Sequence, residues 1–143
     1  MILLQNKKAR FDYDISEEHE AGISLLGWEV KSLRSKRGNM ASAWVAIRDE
    51  EAFLEGLKLV RWEFAQQEQD LTRSRKLLLH KKEIRRLEHK IKEVGYTFVP
   101  LQIFVKNGKL KVLLGLGKGR KRHEKKKYIQ EREVKREGLK DLN

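Results

Sequence analysis

Cysteine is absent from the 143 residues, which excludes disulfides, thiolate metal sites and thiol nucleophiles and fits a reducing compartment. Long apolar runs are absent too. The opening Met1-Ile2-Leu3-Leu4 gives way at once to Gln5, Asn6, Lys7 and Lys8, too short for the apolar centre of a signal peptide, and no later stretch is long enough to cross a bilayer. A soluble, cytoplasmic chain is expected. The single proline, Pro100, stands among strand-forming residues; with no N–H to give a ladder, it should mark an edge or a bulge. There are no internal repeats. None of His19, His80, His89 and His123 has a partner at metal-ligand spacing, so neither a metal nor another cofactor is expected. Carboxylate pairs such as Glu17-Glu18 and Glu50-Glu51 fall in turn-like, solvated sequence, and no general acid–base pair stands out.

What the chain has in excess is positive charge: 33 Lys and Arg against 21 Asp and Glu, a net +12. Half of it sits at one end, since residues 117–143 hold 11 basic and 5 acidic groups, a net +6. From Lys118 to Lys127 seven of ten residues are basic, and their repulsion opposes compaction without an acidic partner. Beyond that run Ile129, Val134 and Leu139 recur every five residues, which carries them around a helix and forms no apolar stripe. Pairs such as Lys127 with Glu131 stand at helical spacing but contribute only ~0.2–0.5 kcal/mol each. The division that follows is a body, 1–117, with its own core, and a basic tail, 118–143, that is disordered when free and helical on an external partner. Without an apolar face for insertion, that partner is nucleic acid and not a membrane.

Within the body, Phe11, Tyr13 and Ile15 alternate with Asp12 and Asp14, the period of a half-buried strand, and Ile23 and Leu25 continue an extended pattern up to Gly27. Trp28, Val30, Leu33 and Arg34 then suit a short helix. "AWVAIRDEEAFLEGLKLV" offers two apolar runs about an Asp49-Glu50-Glu51 turn, a hairpin. "WEFAQQEQDLTRSR" reads as a loop, longer than most inside a compact domain. "HKKEIRRLEHKIKEVG" is a helix whose Ile84, Leu87, Ile91 and Val94 form one stripe, with Gly95 placed for a left-handed cap. In "LQIFVKNGKLKVLL" the pair Asn107-Gly108 asks for a two-residue type I′ turn. That turn pairs Val105 with Leu110 and Ile103 with Val112 on a core face, and Lys106 with Lys109 and Phe104 with Lys111 on an outer one. The expected fold is mainly β with flanking helices, an α+β arrangement around a small closed or partly open oligonucleotide-binding-type barrel.

"GLGKG", Gly115 to Gly119, lacks the Lys-Ser/Thr ending of a P-loop and reads as a hinge between barrel and tail. His80 stands at the N-cap of its helix with Glu83 placed to reach back. His123, inside the cationic run, is either inert or a ring that stacks on a base. Glu20 and Glu29 are lone acids among cations, suited to orient a neighbouring Lys or Arg by ion pairing, or, in an enzyme reading, to serve an RNA-processing hydrolase. "RSRKLLLHKK" gathers Arg73, Arg75 and Lys76 beside three leucines, and each cation that replaces a condensed counterion adds salt-dependent affinity for phosphate.

Four stretches in one order carry a family likeness: "NKKARFDYDI"; "EAGISLLGWEVKSLR"; "RSRKLLLHKKEI" with "GYTFVPLQIFVKNGKLKV"; and "GKGRKRHEKKKYIQERE". The chain resembles the SsrA-binding proteins, also called small protein B, from about Asn6 into the tail. The resemblance implies a non-enzymatic factor that binds the tRNA-like domain of transfer-messenger RNA, one monomer per RNA, and brings it to stalled ribosomes for trans-translation. The body would replace an anticodon arm, and the tail would fold in the empty mRNA path against small-subunit rRNA. A general ribosome-associated RNA-binding barrel is the alternative. The implied RNA-binding surface is Asn6, Glu20, Leu78, Lys111 and Lys118, with the basic residues of the same stretches, Lys7, Lys8, Arg10, Lys31, Arg34, Arg73, Arg75 and Lys76. The implied decoding-centre residues are Gly119, Lys121, His123, Glu124, Lys125 and Lys126, with His123 stacking on a base. Two departures stand out. The family's Asp-Lys-Arg is Glu124-Lys125-Lys126 here, which keeps charge but loses Arg's planar, bidentate contact. Leu71 stands where the family usually has proline, which leaves that loop less rigid.

Overall fold

The computed structural model describes residues 1–61, 69–93 and 95–141, with side chains described as far as Glu133. In chain order the elements are β1 (Ile2–Gln5), α1 (Lys7–Asp12), β2 (Tyr13–Ile23), α2 (Gly27–Arg34), β3 (Gly38–Asn39), β4 (Trp44–Arg48) and β5 (Glu51–Glu55). They continue with β6 (Lys58–Leu59), β7 (Arg75–Leu78), α3 (Lys81–Ile91), β8 (Tyr96–Lys106), β9 (Lys109–Gly119) and α4 (Arg122–Asp141).

Asn107 and Gly108 have φ of 52° and 75°, the left-handed pair a type I′ turn requires. The turn joins β8 to β9 in the register that the sequence implies: Val105 opposite Leu110, Phe104 opposite Lys111, Ile103 opposite Val112. Pairing slips by one residue between Pro100 and Gln102. The proline therefore sits at a bulge, inside a strand that is paired on both sides.

The seven-stranded sheet runs β1-β8-β9-β2-β7-β5-β4 and is antiparallel throughout; β3 and β6 make a separate two-stranded piece. β4 lies against β8, but among the described residues no ladder joins them. The barrel is open, with α2 and α3 flanking it. Its interior holds Leu33, Leu54, Leu57, Leu77, Ile103, Val112, Leu114 and Leu116, all essentially without solvent contact. Each such side chain contributes roughly 1.5–3 kcal/mol by leaving water. A smaller cluster of Ala9, Val99 and Leu101 packs α1 on the other face of the hairpin.

Several expectations change. Phe11 and Asp12 belong to the last turn of α1, not to a strand: Asn6 caps that helix and Ala9 buries against the sheet, so the strand starts at Tyr13. The hairpin turn is Asp49-Glu50 alone, both residues left-handed with φ of 49° and 60°. Its second strand stops at Glu55, because Gly56 (φ 73°) turns the chain away and sends Lys58–Leu59 to pair with β3. Gly115 and Gly117 form no hinge. They lie inside β9, where a Cβ on Gly117 would run into the Asp14 carbonyl and one on Gly115 would come within 2.9 Å of Leu101 Cδ1. β9 runs to Gly119, so Lys118 and Gly119 are strand residues. His80 occupies the N-cap of α3, but its ring makes no capping hydrogen bond. Gly95 is left-handed (φ 86°), three residues beyond the C-cap Lys92. Val94 and residues 62–68 of the long loop lie outside the described residues.

Candidate RNA interface

Register decides which side chains share the outer face of the sheet. Lys111 of β9 lies opposite Gly22 of β2, and Gly22 lies opposite Leu78 of β7 on its other side. With Phe104 of β8 opposite Lys111, four strands contribute one row: Phe104, Lys111, Gly22, Leu78. The neighbouring row, Ile103, Val112 and Ala21, points inward and is buried. Gly22 keeps the row low in its middle, for a Cβ there would stand 3.1 Å from Leu78 Cβ. Sequence reasoning missed this residue; its one signal is a glycine inside a strand pattern, which often marks close approach.

A groove of about 500 Å³ runs along this face between β2, β7, β9 and the start of α3, and it is lined by Glu20, Lys76, Leu78, His80, Lys81 and Lys111 with others. Four residues expected from the sequence to touch RNA, namely Glu20, Lys76, Leu78 and Lys111, therefore meet in one place. Leu78 leaves 56% of its surface in water, an uncommon state for leucine at the centre of a sheet. The carboxylates are mostly engaged: Glu20 accepts from Lys106 Nζ at 3.0 Å, Glu51 from Lys76 Nζ at 3.2 Å and Glu50 from Arg85 Nε at 2.9 Å. The Arg85 hydrogen bonds hold Glu50 below the usual carboxylate pKa. Lys111 has no ion pair among the described residues, and its charge is available to a phosphate.

Arg75 is corrected. Its side chain is fully buried, donating from Nε to Glu29 Oε2 at 2.5 Å and from Nη1 to the Leu57 carbonyl at 2.8 Å. It offers RNA no surface. Burial lowers its pKa while Glu29 opposes that. Arg73 donates to the other Glu29 oxygen and reaches the Ser24 carbonyl at 3.4 Å. Burial alone would raise the Glu29 pKa, but hydrogen bonds from Arg73, the Leu26 N–H and Arg75 outweigh it and hold the carboxyl below its ordinary value. Leu71, in the proline position, is tied through its carbonyl to the Leu59 N–H at 3.0 Å and Arg75 Nη2 at 3.4 Å.

Asn6 is also mostly internal, at 7% exposure. Its Oδ1 accepts from Ala9 N at 3.2 Å and its Nδ2 donates to the Pro100 carbonyl at 3.1 Å. It thus fixes α1, from which Lys7, Lys8 and Arg10 project into solvent; Lys7 and Arg10 line a small separate cavity, and Arg10 pairs with Glu18 at 3.0 Å. Lys31 and Arg34 are exposed on α2, Arg34 leaning to the Gly108 carbonyl at 3.4 Å. Lys118, at the other end of β9, stands over the Tyr96 ring at 4.8 Å, with Lys90 at 5.4 Å.

In the tail, Lys121, His123 and Lys126 are exposed, the His123 side chain to 79%. Glu124 and Lys125 are half-buried, and Lys125 pairs with Asp12 at 3.3 Å. Tyr128 lies 6.4 Å from Phe11 and under the Arg120 guanidinium at 4.4 Å. The tail thus rests its first turns on α1. No helix among the described residues is long and apolar enough to cross a membrane, and no metal-binding cluster occurs among them.

Residues 3–143 match the SmpB protein family. The chain belongs to that family. Among its relatives, the SsrA-binding protein of Nitrosospira multiformis is 45% identical over 139 residues, covering 96% of this chain and 95% of its own length. That of Pelobacter propionicus is 44% identical over 137 residues, covering 95% and 90%. A solved structure described as "tmRNA-SmpB: a journey to the center of the bacterial ribosome" matches with a TM-score of 0.68 at 43% identity, over 88% of this chain and 93% of that one.

Proposed function

We propose that the chain binds the tRNA-like domain of transfer-messenger RNA and delivers it to stalled ribosomes for trans-translation, acting as an RNA-binding factor in the cytoplasm. The observation that carries this reading is the four-strand outer row from Phe104 to an exposed Leu78, which includes Lys111 with no ion pair among the described residues, in a chain of the SmpB family. Structured RNA is read by backbone, shape and stacking, and an open sheet face with the Lys111 and Lys81 ammonium groups beside apolar side chains supplies those contacts. Glu20, held by Lys106, orients that neighbouring cation toward the same face. The body would stand in place of an anticodon arm, and the tail from Lys121 to Lys126 would meet small-subunit rRNA in the empty mRNA path, with His123 stacked on a base.

Lys111→Glu tests the site directly. The variant removes a phosphate contact and adds repulsion, and titration of the tRNA-like domain at low salt should show about tenfold weaker binding or worse. Unchanged affinity removes Lys111 from the site. Sequencing the RNAs that co-purify with the protein tests the partner, which should be one dominant species and not a sample of ribosomal RNA.

A further inference from the structure

A second cleft, of about 210 Å³, lies where β4 approaches β8 and α1, lined among others by Lys8, Tyr13, Ser42, Trp44, Thr97 and Phe98. It shares no lining residue with the groove that holds Lys111. Trp44 leaves 54% of its surface in water, although it sits on an edge strand where an exposed indole invites association. The ring is nevertheless held in place: it lies so close over Gly56 that a Cβ there would be 2.7 Å from its Cζ3. Lys8 has no ion pair among the described residues. Among the described residues the one carboxylate of the cleft, Asp12, is taken by Lys125 at 3.3 Å. The hydroxyls of Tyr13, Ser42 and Thr97 add hydrogen-bonding groups.

We infer that this cleft binds one unpaired nucleotide of an RNA, its base stacked on Trp44 and its phosphate on the Lys8 ammonium. A rigid aromatic platform next to an uncompensated cation is how proteins hold unpaired bases without reading sequence. The volume is below the roughly 300–1,000 Å³ of ordinary small-molecule pockets and suits a single base. An apolar peptide would use Trp44 but would leave Lys8 idle. The inference rests on the proposed function only in requiring that the protein work against RNA, and Lys111 reports on that reading separately.

The test uses the full chain with three RNAs: a short unstructured oligoribonucleotide, the tRNA-like domain, and protein-free small-subunit RNA. Ultraviolet cross-linking of the wild-type complexes should yield RNA attached to the peptide that contains Trp44. Trp44→Ala should weaken oligonucleotide binding about five- to a hundred-fold, the measured range for one stacked base. Trp44→Phe should restore most of it, and Lys8→Ala should reduce the salt dependence by about one phosphate contact. Whichever of the two larger RNAs is also weakened by Trp44→Ala is the source of the nucleotide. The inference is overturned if Trp44→Ala binds all three RNAs normally, or if the cross-links map elsewhere. Weakened association with intact ribosomal subunits, combined with normal binding to every naked RNA, would assign Trp44 to a protein partner and overturn it equally. If Trp44→Ala fails to fold, the Phe variant and the wild-type cross-link decide. Loss of tRNA-like-domain binding by Lys111→Glu alone upholds the proposed function whatever happens at Trp44.

Discussion

Glu29 is shared by two guanidinium groups and by the N–H of the N-cap residue of its own helix, accepting from Leu26 N at 2.7 Å. Removing one member of a buried ion group strands the other's charge, which costs about 3–5 kcal/mol. Glu29→Gln should lower the unfolding free energy measured by urea titration by that much, because Arg75 has no water to turn to. Arg73→Ala should cost far less, its side chain being 32% exposed. The pH dependence has a definite sign. Glu29 is held below its ordinary pKa in the folded protein, so its contribution is complete above the unfolded carboxylate value and is lost as pH falls through the folded one. Urea titrations from about pH 7 to about pH 3 should show the wild type losing stability more steeply than Glu29→Gln at the acid end. Parallel curves would mean that Glu29 is not held ionised by its partners.

At the scale of elements, the sequence is most legible where one residue pair dictates backbone geometry. Asn107-Gly108 fixed a register of four cross-strand pairs, and from it came the outward position of Lys111. It is least legible where an element owes its existence to tertiary contacts. α1 has only six residues, too few to hold themselves; its capping by Asn6 and its seat on the Pro100 bulge are invisible to periodicity. In "RSRKLLL" no polar and apolar alternation shows that Arg75 and Leu77 face inward while Lys76 and Leu78 face out, as the strand imposes. Glu29 was visible as a lone acid among cations, but not that it would draw Arg75 inside. Glycine is ambiguous in the same way. A hinge and a close strand contact both favour it, and substitution separates them. Gly117→Ala should lower stability by about 1–3 kcal/mol because the new methyl group meets the Asp14 backbone, whereas Gly119→Ala, with nothing within 4 Å of its Cβ, should be nearly neutral. Equal, small effects in thermal unfolding would restore the hinge.

For the whole molecule the deciding question is how firmly the tail is attached. Beyond Gly119, its contacts with the body among the described residues include one ion pair, Lys125 with Asp12 at 3.3 Å, the same lysine over the Phe11 ring at 5.5 Å, one aromatic pair, Phe11 with Tyr128, and the backbone bond from Arg120 N to the Asp12 carbonyl at 2.7 Å. A partly exposed ion pair contributes about 0–1 kcal/mol, and an aromatic pair about 0.5–1.5 kcal/mol beyond the area it buries. An rRNA backbone offering a phosphate to every lysine of the run can displace such a contact, and Lys125 would exchange one carboxylate for it. The main core, in contrast, lies entirely between Leu3 and Leu116. Cutting the chain after Gly119 should therefore leave the melting temperature within a few degrees and the affinity for transfer-messenger RNA mostly intact, while peptide tagging on stalled ribosomes fails. A truncated protein that lost RNA binding together with tagging would show that body and tail form a single module.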